Sequence, residues 1–111
     1  MVTLALAATS TAALAGAAST PTNYQPDPAL QRASRAELEG RIRKACTITQ
    51  ARLQSASESA MSSACGCYAS RTLASFDAAE LQAYRTTGVF NDTARGKALA
   101  AIDACRLQRP A

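Results

Sequence analysis

The segment SSACGCYASRTLASFD, residues 62–77, decides the fold because it holds two of the four cysteines, Cys65 and Cys67, with only Gly66 between them. Its apolar residues recur at three- and four-residue intervals, which predicts an amphipathic helix over about 57–75. One face of that helix contains Met61, Ala64, Cys65, Tyr68, Thr72 and Phe76. Because two residues advance an α-helix by about 200°, we expect Cys65 to face the core and Cys67 to face another side.

The helix before this segment begins with a capping box, in which the side chains of Ser34 and Glu37 satisfy each other's backbone amides. The periodicity that follows predicts a helix over about 35–53. Its apolar face contains Leu38, Ile42, Ala45, Cys46, Thr49 and Leu53. Cys46 is therefore also expected to face the core.

Two further helices follow the segment. Asp77-Ala78-Ala79-Glu80 is a second capping box, which predicts a short helix over about 78–86. Asn91 or Asp92 then caps a last helix over about 92–107. No stretch alternates with period two over the length of a strand. We therefore predict an all-α fold, a small bundle of about four helices stapled by two disulfides.

The N-terminal region differs from the rest of the chain. Residues 1–19 carry no charge and are rich in alanine, and Ala13-Leu14-Ala15 fits the small-x-small rule for signal-peptidase cleavage. We predict a signal peptide there; because no basic residue precedes the apolar stretch, an upstream start or an alanine-rich tail remain alternatives. The composition of residues 20–33 predicts a proline-rich linker, with one helical turn near 28–33. The stapled helical domain is predicted over 34–109.

The cysteine count agrees with export. Four cysteines in a small exported domain predict two disulfides, whereas in a reducing cytosol they would indicate a metal site or catalysis. Thr9-Ser10-Thr11 interrupts an apolar segment that is already short and alanine-rich for a spanning helix, so we expect no transmembrane span in the mature chain. The predicted location is the periplasm or the cell exterior.

The spacing Cys46-x18-Cys65-x-Cys67-x37-Cys105 leaves the disulfide pairing open between two close alternatives. If the first two helices form a hairpin about Ser55-Ala56, Cys46 and Cys65 lie equally far from its turn, and Cys67 and Cys105 are likewise equidistant from the next turn. This symmetry favours Cys46–Cys65 with Cys67–Cys105. The swap, Cys46–Cys67 with Cys65–Cys105, shifts each midpoint by one residue only. A Cys65–Cys67 bond would break helix geometry and be strained.

The charge of the chain is basic, +4, and all of it lies after residue 19. Arg41, Arg43 and Lys44 form the densest cluster. With Glu37 and Glu39 one turn away, the cluster is typical of a solvated helix face. The functional alternative is attraction to an anionic envelope surface. Nucleic acid is not an expected partner, because the chain is predicted to be exported and no aromatic residues are interleaved for base stacking.

An alternative function uses the Cys65-Gly66-Cys67 pair for thiol–disulfide exchange or for handling copper or zinc. Arg71, one turn from Cys67, could lower a thiol pKa, and Met61 could add a thioether ligand for Cu(I). A core-facing Cys65 argues against exchange. A zinc site of four thiolates usually has two close cysteine pairs, and this chain has one.

Catalytic signals are few in this sequence. The chain has no histidine, which removes the commonest general base, metal ligand and proton switch. Tyr68, Phe76 and Tyr84 could line a ligand pocket, but their helical spacing favours a role in the core. We predict no catalytic residue, no metal site and no cofactor, and hence a protein that is not an enzyme.

The run Cys-Gly-Cys-Tyr-Ala-Ser-Arg-Thr-Leu, the later Asp77-Ala78-Ala79-Glu80-Leu81 and the distal Cys105 resemble small exported bacterial helical proteins with four cysteines and no assigned function. The resemblance covers about residues 35–107 and brings no activity, ligand or catalytic residue. It is consistent with a non-enzymatic structural or interaction module, whose partner we expect to be another envelope protein or an anionic envelope surface.

Overall fold

A computed structural model describes residues 27–110 of the chain. The regular secondary structure of these residues is entirely helical, with no β-strand among them, which confirms the all-α prediction. The α-helices are α1 (Pro28–Gln31), α2 (Arg35–Gln54), α3 (Ser62–Ser75), α4 (Ala78–Thr87) and α5 (Asp92–Ala104), and a 3₁₀ helix, Ser59–Met61, leads into α3. The predicted signal peptide and the first part of the predicted linker, residues 20–26, lie outside the described residues.

Two capping boxes fix the starts of α2 and α4 as predicted. Ser34 Oγ accepts the amide of Glu37 at 3.1 Å, and the Glu37 carboxylate accepts the amide of Ser34 at 2.7 Å. Asp77 and Glu80 make the same exchange, with both distances 2.8 Å. Each box satisfies donors that the first turn of a helix leaves unpaired. Asn91, one of the two predicted caps of α5, accepts the amide of Ala94 at 2.9 Å.

Two helices are followed by non-glycine residues in the left-handed conformation. Ser55 has φ 52° and stops α2, and Arg106 has φ 58° and follows the end of α5. The amide of Leu107 then bonds the carbonyl of Ile102 at 3.0 Å, which closes a Schellman motif. The last helix therefore ends at Ala104, three residues before the predicted boundary of 107.

The start of the second predicted helix also differs. Residues 59–61 form the 3₁₀ helix and the α-helix begins only at Ser62, whereas we predicted a helix from about residue 57. Ser57 Oγ accepts the amide of Ala60 at 3.1 Å. This hydrogen bond starts a tight turn, and Met61 continues it into α3 with helical backbone angles.

Helix α1 belongs to the folded core although its residues fall within the predicted linker. Leu30 is 3% exposed and Ala33 is 7% exposed, and both join the cluster of buried apolar residues. The Arg85 guanidinium of α4 donates to the carbonyl of Ala33 at 2.5 Å and to that of Gln31 at 3.4 Å. The packed unit therefore starts before residue 34, and α1 is held against α4.

The middle of the bundle is α3, which packs against α2 on one side and α5 on the other. The buried residues of α3 are Cys65, Ala69, Thr72 and Leu73. Among residues 27–110, no helix combines the length and the apolar character needed to cross a bilayer.

Candidate functional site: the cysteine junction and an adjoining groove

The cysteine junction consists of the two disulfides that meet on α3. Cys46 of α2 bonds Cys65, with the sulfur atoms 2.01 Å apart and the Cα atoms 5.6 Å apart. Cys67 bonds Cys105, the C-terminal cap of α5, with corresponding distances of 2.04 and 5.9 Å. This is the pairing that the hairpin symmetry favours. Because the two cysteines of α3 face different sides, one helix is tied covalently to two neighbours.

The junction is largely removed from solvent. Cys65 is fully buried, and Cys46 and Cys105 are 6% and 8% exposed, whereas Cys67 is partly buried. A sulfur in a disulfide is neither the thiolate that acts as nucleophile nor the thiolate that binds metals. The described residues leave no cysteine free, and no group of three or more histidine, cysteine or acidic side chains in residues 27–110 is placed to hold a metal ion.

The alternative chemistry assigns supporting roles to Arg71 and Met61. These two residues lie in different helical segments. Arg71 is exposed in the second half of α3, and Met61 is partly buried at the end of the 3₁₀ helix. With Cys65 and Cys67 each bonded to a cysteine of another helix, there is no thiolate whose pKa a cation could lower. The arrangement stabilises three helices relative to one another.

Beside the junction lies an open groove of about 270 Å³. Its floor is α2, and its walls come from α3, the end of α4 and α5. The lining residues are Ile42, Ala45, Cys46, Thr49, Gln50, Tyr68, Tyr84, Gly88, Phe90, Ile102 and Pro110. The groove therefore adjoins one of the disulfides and has a mainly apolar surface.

Aromatic side chains dominate one wall of the groove. The ring of Phe90 lies 5.1 Å from that of Tyr84 and 5.1 Å from that of Phe76, which it meets edge-on. Such edge-to-face contacts are favourable for aromatic rings. Tyr84 is 8% exposed, whereas Tyr68 and Phe90 are partly buried. Tyr68 and Tyr84 thus serve the core and the groove together, while Phe76 packs on the core behind it.

The two phenol groups of the groove are neutral at physiological pH. Burial raises the pKa of Tyr68 above its ordinary value of 10.0. Burial likewise raises the pKa of Tyr84, and the positive charge of Arg41 partly opposes this effect. The groove therefore offers apolar surface and neutral hydroxyl groups, which suit an uncharged or aromatic ligand.

The far end of the groove is closed by the C-terminal residues. The Gln50 side chain, in a residue 2% exposed, donates to the carbonyl of Gln108 at 2.7 Å and accepts the amide of Gln108 at 3.1 Å. Arg109 adds a two-pronged ion pair with Asp103, with distances of 3.0 and 2.7 Å. These contacts hold Pro110 in the groove wall. We did not predict them; the one sequence signal is a glutamine four residues after a core-facing cysteine.

The basic cluster of α2 is partly neutralised. Arg41 pairs with Asp27 at 3.3 Å, and Lys44 pairs with Glu58 at 3.0 Å. Both partners come from outside α2. Arg43 lies against α3, where its Cδ would be 3.7 Å from a Cβ added at Gly66. This arrangement favours the solvated helix face over a dedicated anion site.

Compared with known proteins, the chain matches no family model, no curated protein and no solved structure. The resemblance to exported four-cysteine proteins is therefore supported by the sequence pattern alone and stays a prediction.

Proposed function

We propose that this protein is a small exported helical module, located in the periplasm or outside the cell, that acts by binding and not by catalysis. The observation that carries the proposal is the cysteine junction, which uses all four cysteines to hold α2, α3 and α5 together. Disulfides of this kind form and persist in oxidising compartments. The signal peptide predicted over residues 1–19 supports the same location.

The groove is the surface on which we propose that binding occurs. Its lining is mainly apolar, and at about 270 Å³ it is close to the lower end of the range of small-molecule pockets. It is also wide enough to take a large side chain of a protein partner. The rigid junction beside it keeps α2 and α3 in register, and such pre-organisation lowers the entropy cost of binding. Another envelope protein is the partner class that fits these features best.

The alternative proposal is thiol–disulfide exchange or metal handling by Cys65 and Cys67. It requires both thiols to be released together and to lie near solvent. The buried position of Cys65, and the bonds of both cysteines to different helices, argue against it. A catalytic disulfide would instead be exposed or strained, and therefore easily reduced.

Peptide mapping without reduction tests the proposal. The full chain is produced with export to the periplasm and digested, and the linked peptides are identified by mass spectrometry, together with a metal assay and N-terminal sequencing. We expect Cys46–Cys65 and Cys67–Cys105 peptides, no free thiol, no bound metal, and cleavage after Ala15, the site that Ala13-Leu14-Ala15 predicts. A Cys65–Cys67 peptide, free thiols or stoichiometric copper or zinc would overturn the binding-module proposal.

The variant Gly66→Ala provides a matched control. An added Cβ would meet only Arg43 Cδ at 3.7 Å, an ordinary contact, and alanine favours a helix over glycine by roughly 1 kcal/mol. If the two disulfides are purely structural, this variant should give the same linked peptides and be slightly more stable than the unaltered protein. If Gly66 serves as a flexible hinge between reactive thiols, the substitution should instead reduce exchange with a dithiol substrate.

A further inference from the structure

The carboxamide of Gln50 pairs with the backbone of a single residue of the C-terminal tail segment, residues 108–110. Its Nε2 donates to the carbonyl of Gln108 at 2.7 Å, and its Oε1 accepts the amide of Gln108 at 3.1 Å. In an antiparallel β-sheet, two residues that face each other exchange the same two kinds of hydrogen bond. Gln50 therefore recognises a short stretch of extended backbone, whatever side chain that residue carries.

This carboxamide is held in place from within α2. Gln50 is 2% exposed, and the side-chain nitrogen of Gln54 donates to its Oε1 at 2.7 Å. The contact with Gln54 orients the carboxamide, so that its nitrogen is left to donate to a bound carbonyl. A buried donor that loses its partner is costly in free energy. The groove end at Gln50 therefore favours a bound backbone over an empty site.

The tail segment itself has few other contacts to hold it. Gln108, Arg109 and Pro110 are all exposed. The ion pair of Arg109 with Asp103 lies at the surface, with both side chains more than half exposed, and such pairs contribute little to stability. Segments with few buried contacts open locally at a small cost in free energy. The tail segment can therefore leave the groove while the disulfides keep α2, α3 and α5 together.

The tail segment covers only part of the groove. Of its three residues, Pro110 alone lines the groove, whereas the aromatic wall comes from Tyr84 and from Phe90 after the end of α4. Between the lining residues Gly88 and Phe90 stands Val89, whose side chain is 60% exposed. The apolar surface therefore extends beyond the groove. Such a continuous surface is typical of a site for a peptide or protein segment.

The order of groups in the tail segment indicates the chemistry of a chain that could replace it. Gln108 offers its backbone to Gln50. Arg109 offers its guanidinium to the carboxylate of Asp103 at 3.0 and 2.7 Å, and Pro110 offers an apolar ring to the groove. A replacing segment needs the same succession of an extended residue of any type, a cation and a proline. In peptide recognition of this kind, backbone hydrogen bonds supply affinity and side-chain contacts supply specificity.

We propose that the groove binds an extended segment of a partner protein in which a basic residue precedes a proline, and that residues 108–110 are an internal competitor which this segment displaces. Gln50 pairs with the backbone of the partner segment, Asp103 pairs with its basic side chain, and the groove takes its proline. This inference rests on the proposed function, because it names the chemistry of the partner for the same groove. It adds an autoinhibited state, in which the chain occupies part of its own binding surface.

Fluorescence anisotropy with a labelled peptide tests the proposal. The probe has the sequence of residues 106–110, Arg-Leu-Gln-Arg-Pro, with blocked ends. The unaltered full chain is compared with a released variant that carries Gln108→Pro and Arg109→Ala. The first change removes the amide that Gln50 accepts, and the second removes the guanidinium that Asp103 binds. Because a tethered segment competes at an effective concentration in the millimolar range, the probe should bind the released variant at least tenfold more tightly than the unaltered protein.

Matched changes in the protein and in the probe identify the contacts. In the released variant, adding Gln50→Met keeps a side chain of similar size without the carboxamide and should weaken probe binding at least tenfold. Adding Gln82→Met, at an exposed glutamine of α4 outside the groove, should leave binding unchanged. Methylation of the glutamine amide nitrogen of the probe should weaken binding as Gln50→Met does, and it leaves the protein unaltered. A probe with glutamate in place of its second arginine should bind several-fold more weakly.

The proposal is overturned by equal affinities for the unaltered protein and the released variant, by no binding to either, or by binding that survives both Gln50→Met and amide methylation. Dimers of the unaltered protein that dissociate in the released variant, measured by sedimentation velocity, would also overturn it, because a second copy would then supply the segment. Circular dichroism checks that each variant is folded. Disulfide mapping of the same samples keeps the two proposals distinguishable, since the expected disulfides with an unbound probe contradict only this inference.

Discussion

Two regions of this small bundle achieve order by different means. In the apolar region, α1, α4 and the facing parts of α2 and α3 bury a continuous cluster of larger side chains, which includes Leu30, Leu38, Ile42, Leu73 and Tyr84. In the cysteine region, α5 and the facing parts of α2 and α3 bury Ile102 and three alanines, together with Cys46, Cys65 and Cys105. Only the cysteine region contains disulfides.

The difference follows from side-chain size. Burying a leucine or isoleucine contributes about 1.5–3 kcal/mol, and a single methyl or methylene group only about 0.8 kcal/mol. A face made of Ala94, Ala98 and Ala101 therefore contributes little to the stability of α5. Domains of this size are marginal without covalent help. The disulfides lie where apolar burial is smallest, which explains their positions without any chemical reactivity.

The largest expected effect is that of the bond that holds α5. Replacing both Cys67 and Cys105 by serine opens a loop of 38 residues, which is worth about 4 kcal/mol in the chain-entropy model. Chemical denaturation of the oxidised variant, followed by circular dichroism, measures the loss. Unchanged stability would mean that α5 is held by packing, and it would remove the distinction between the two regions.

Replacing both Cys46 and Cys65 by serine should lower the free energy of unfolding somewhat less than replacing Cys67 and Cys105. The loop is 19 residues long, and its closure is worth about 3 kcal/mol in the same model. The paired comparison is informative because both variants lose one disulfide and differ in loop length. A larger loss here than for the α5 bond would contradict the chain-entropy explanation.

The apolar region is tested by Leu30→Ala. Leu30 is 3% exposed and packs in the main cluster, so its truncation should lower the free energy of unfolding by about 2–3 kcal/mol. Val89→Ala serves as the control, because Val89 is 60% exposed and the expected change is within about 0.5 kcal/mol. Equal effects at the two positions would show that α1 is not part of the packed core.

A smaller effect is expected at the contact that closes the groove. Gln50→Ala removes both side-chain hydrogen bonds to Gln108, and buried partners left unpaired cost about 1–2 kcal/mol. Gln108→Ala is the matched control, because Gln108 takes part only through its backbone amide and carbonyl. The stabilities of the two variants are compared by thermal denaturation. Equal losses of stability would contradict a contribution from the Gln50 side chain.

The smallest expected effect is on the acid dependence of stability. It tests the ion pair between Glu80 of α4 and Lys97 of α5, which connects the two regions. The Lys97 ammonium, 2.6 Å from Glu80, and the Asp77 amide lower the pKa of Glu80 from 4.5 to about 2. A carboxylate with a lowered pKa in the folded state stabilises fully above its unfolded pKa and loses this contribution as the pH falls. Stability should therefore decline from pH 4.5 towards pH 2.

The variant Glu80→Gln identifies the group responsible for this decline. Denaturation midpoints measured across the range should fall less steeply with pH in Glu80→Gln than in the unaltered protein. Glu37 and Asp103, whose pKa values are lowered by the Ser34 amide and by Arg109 respectively, supply the remaining slope. Glu39→Gln is the control, because it also removes one negative charge, from α2, but leaves the Glu80–Lys97 ion pair intact. A slope that is unchanged in Glu80→Gln would contradict a role for the Lys97 pair.

Features encoded by neighbouring residues could be predicted from the sequence. The capping boxes at Ser34 and Asp77 determine helix starts through contacts three residues apart, and both starts were predicted correctly. The end of α5 was missed, because Arg106 adopts a left-handed conformation that usually indicates glycine.

Features that depend on distant contacts were not predictable in the same way. Gln50 and Gln108 are 58 positions apart, and no local pattern relates them. The groove forms where α2, the end of α4 and the C-terminal residues meet, so it could not be assigned from one helix. Tyr68 and Tyr84 were correctly placed at the core by their spacing, yet both residues also line the groove.

The central claim is that Cys65 and Cys67 form a structural junction and not a reactive pair. Incubation of the native protein with reduced glutathione, with samples alkylated and mapped while helix content is followed by circular dichroism, tests it most directly. The account predicts that modified Cys65 and Cys67 accumulate only as the helical signal is lost, since reduction removes the bonds that hold α2, α3 and α5 together. Rapid modification of both cysteines in a protein that keeps its full helical signal would contradict it.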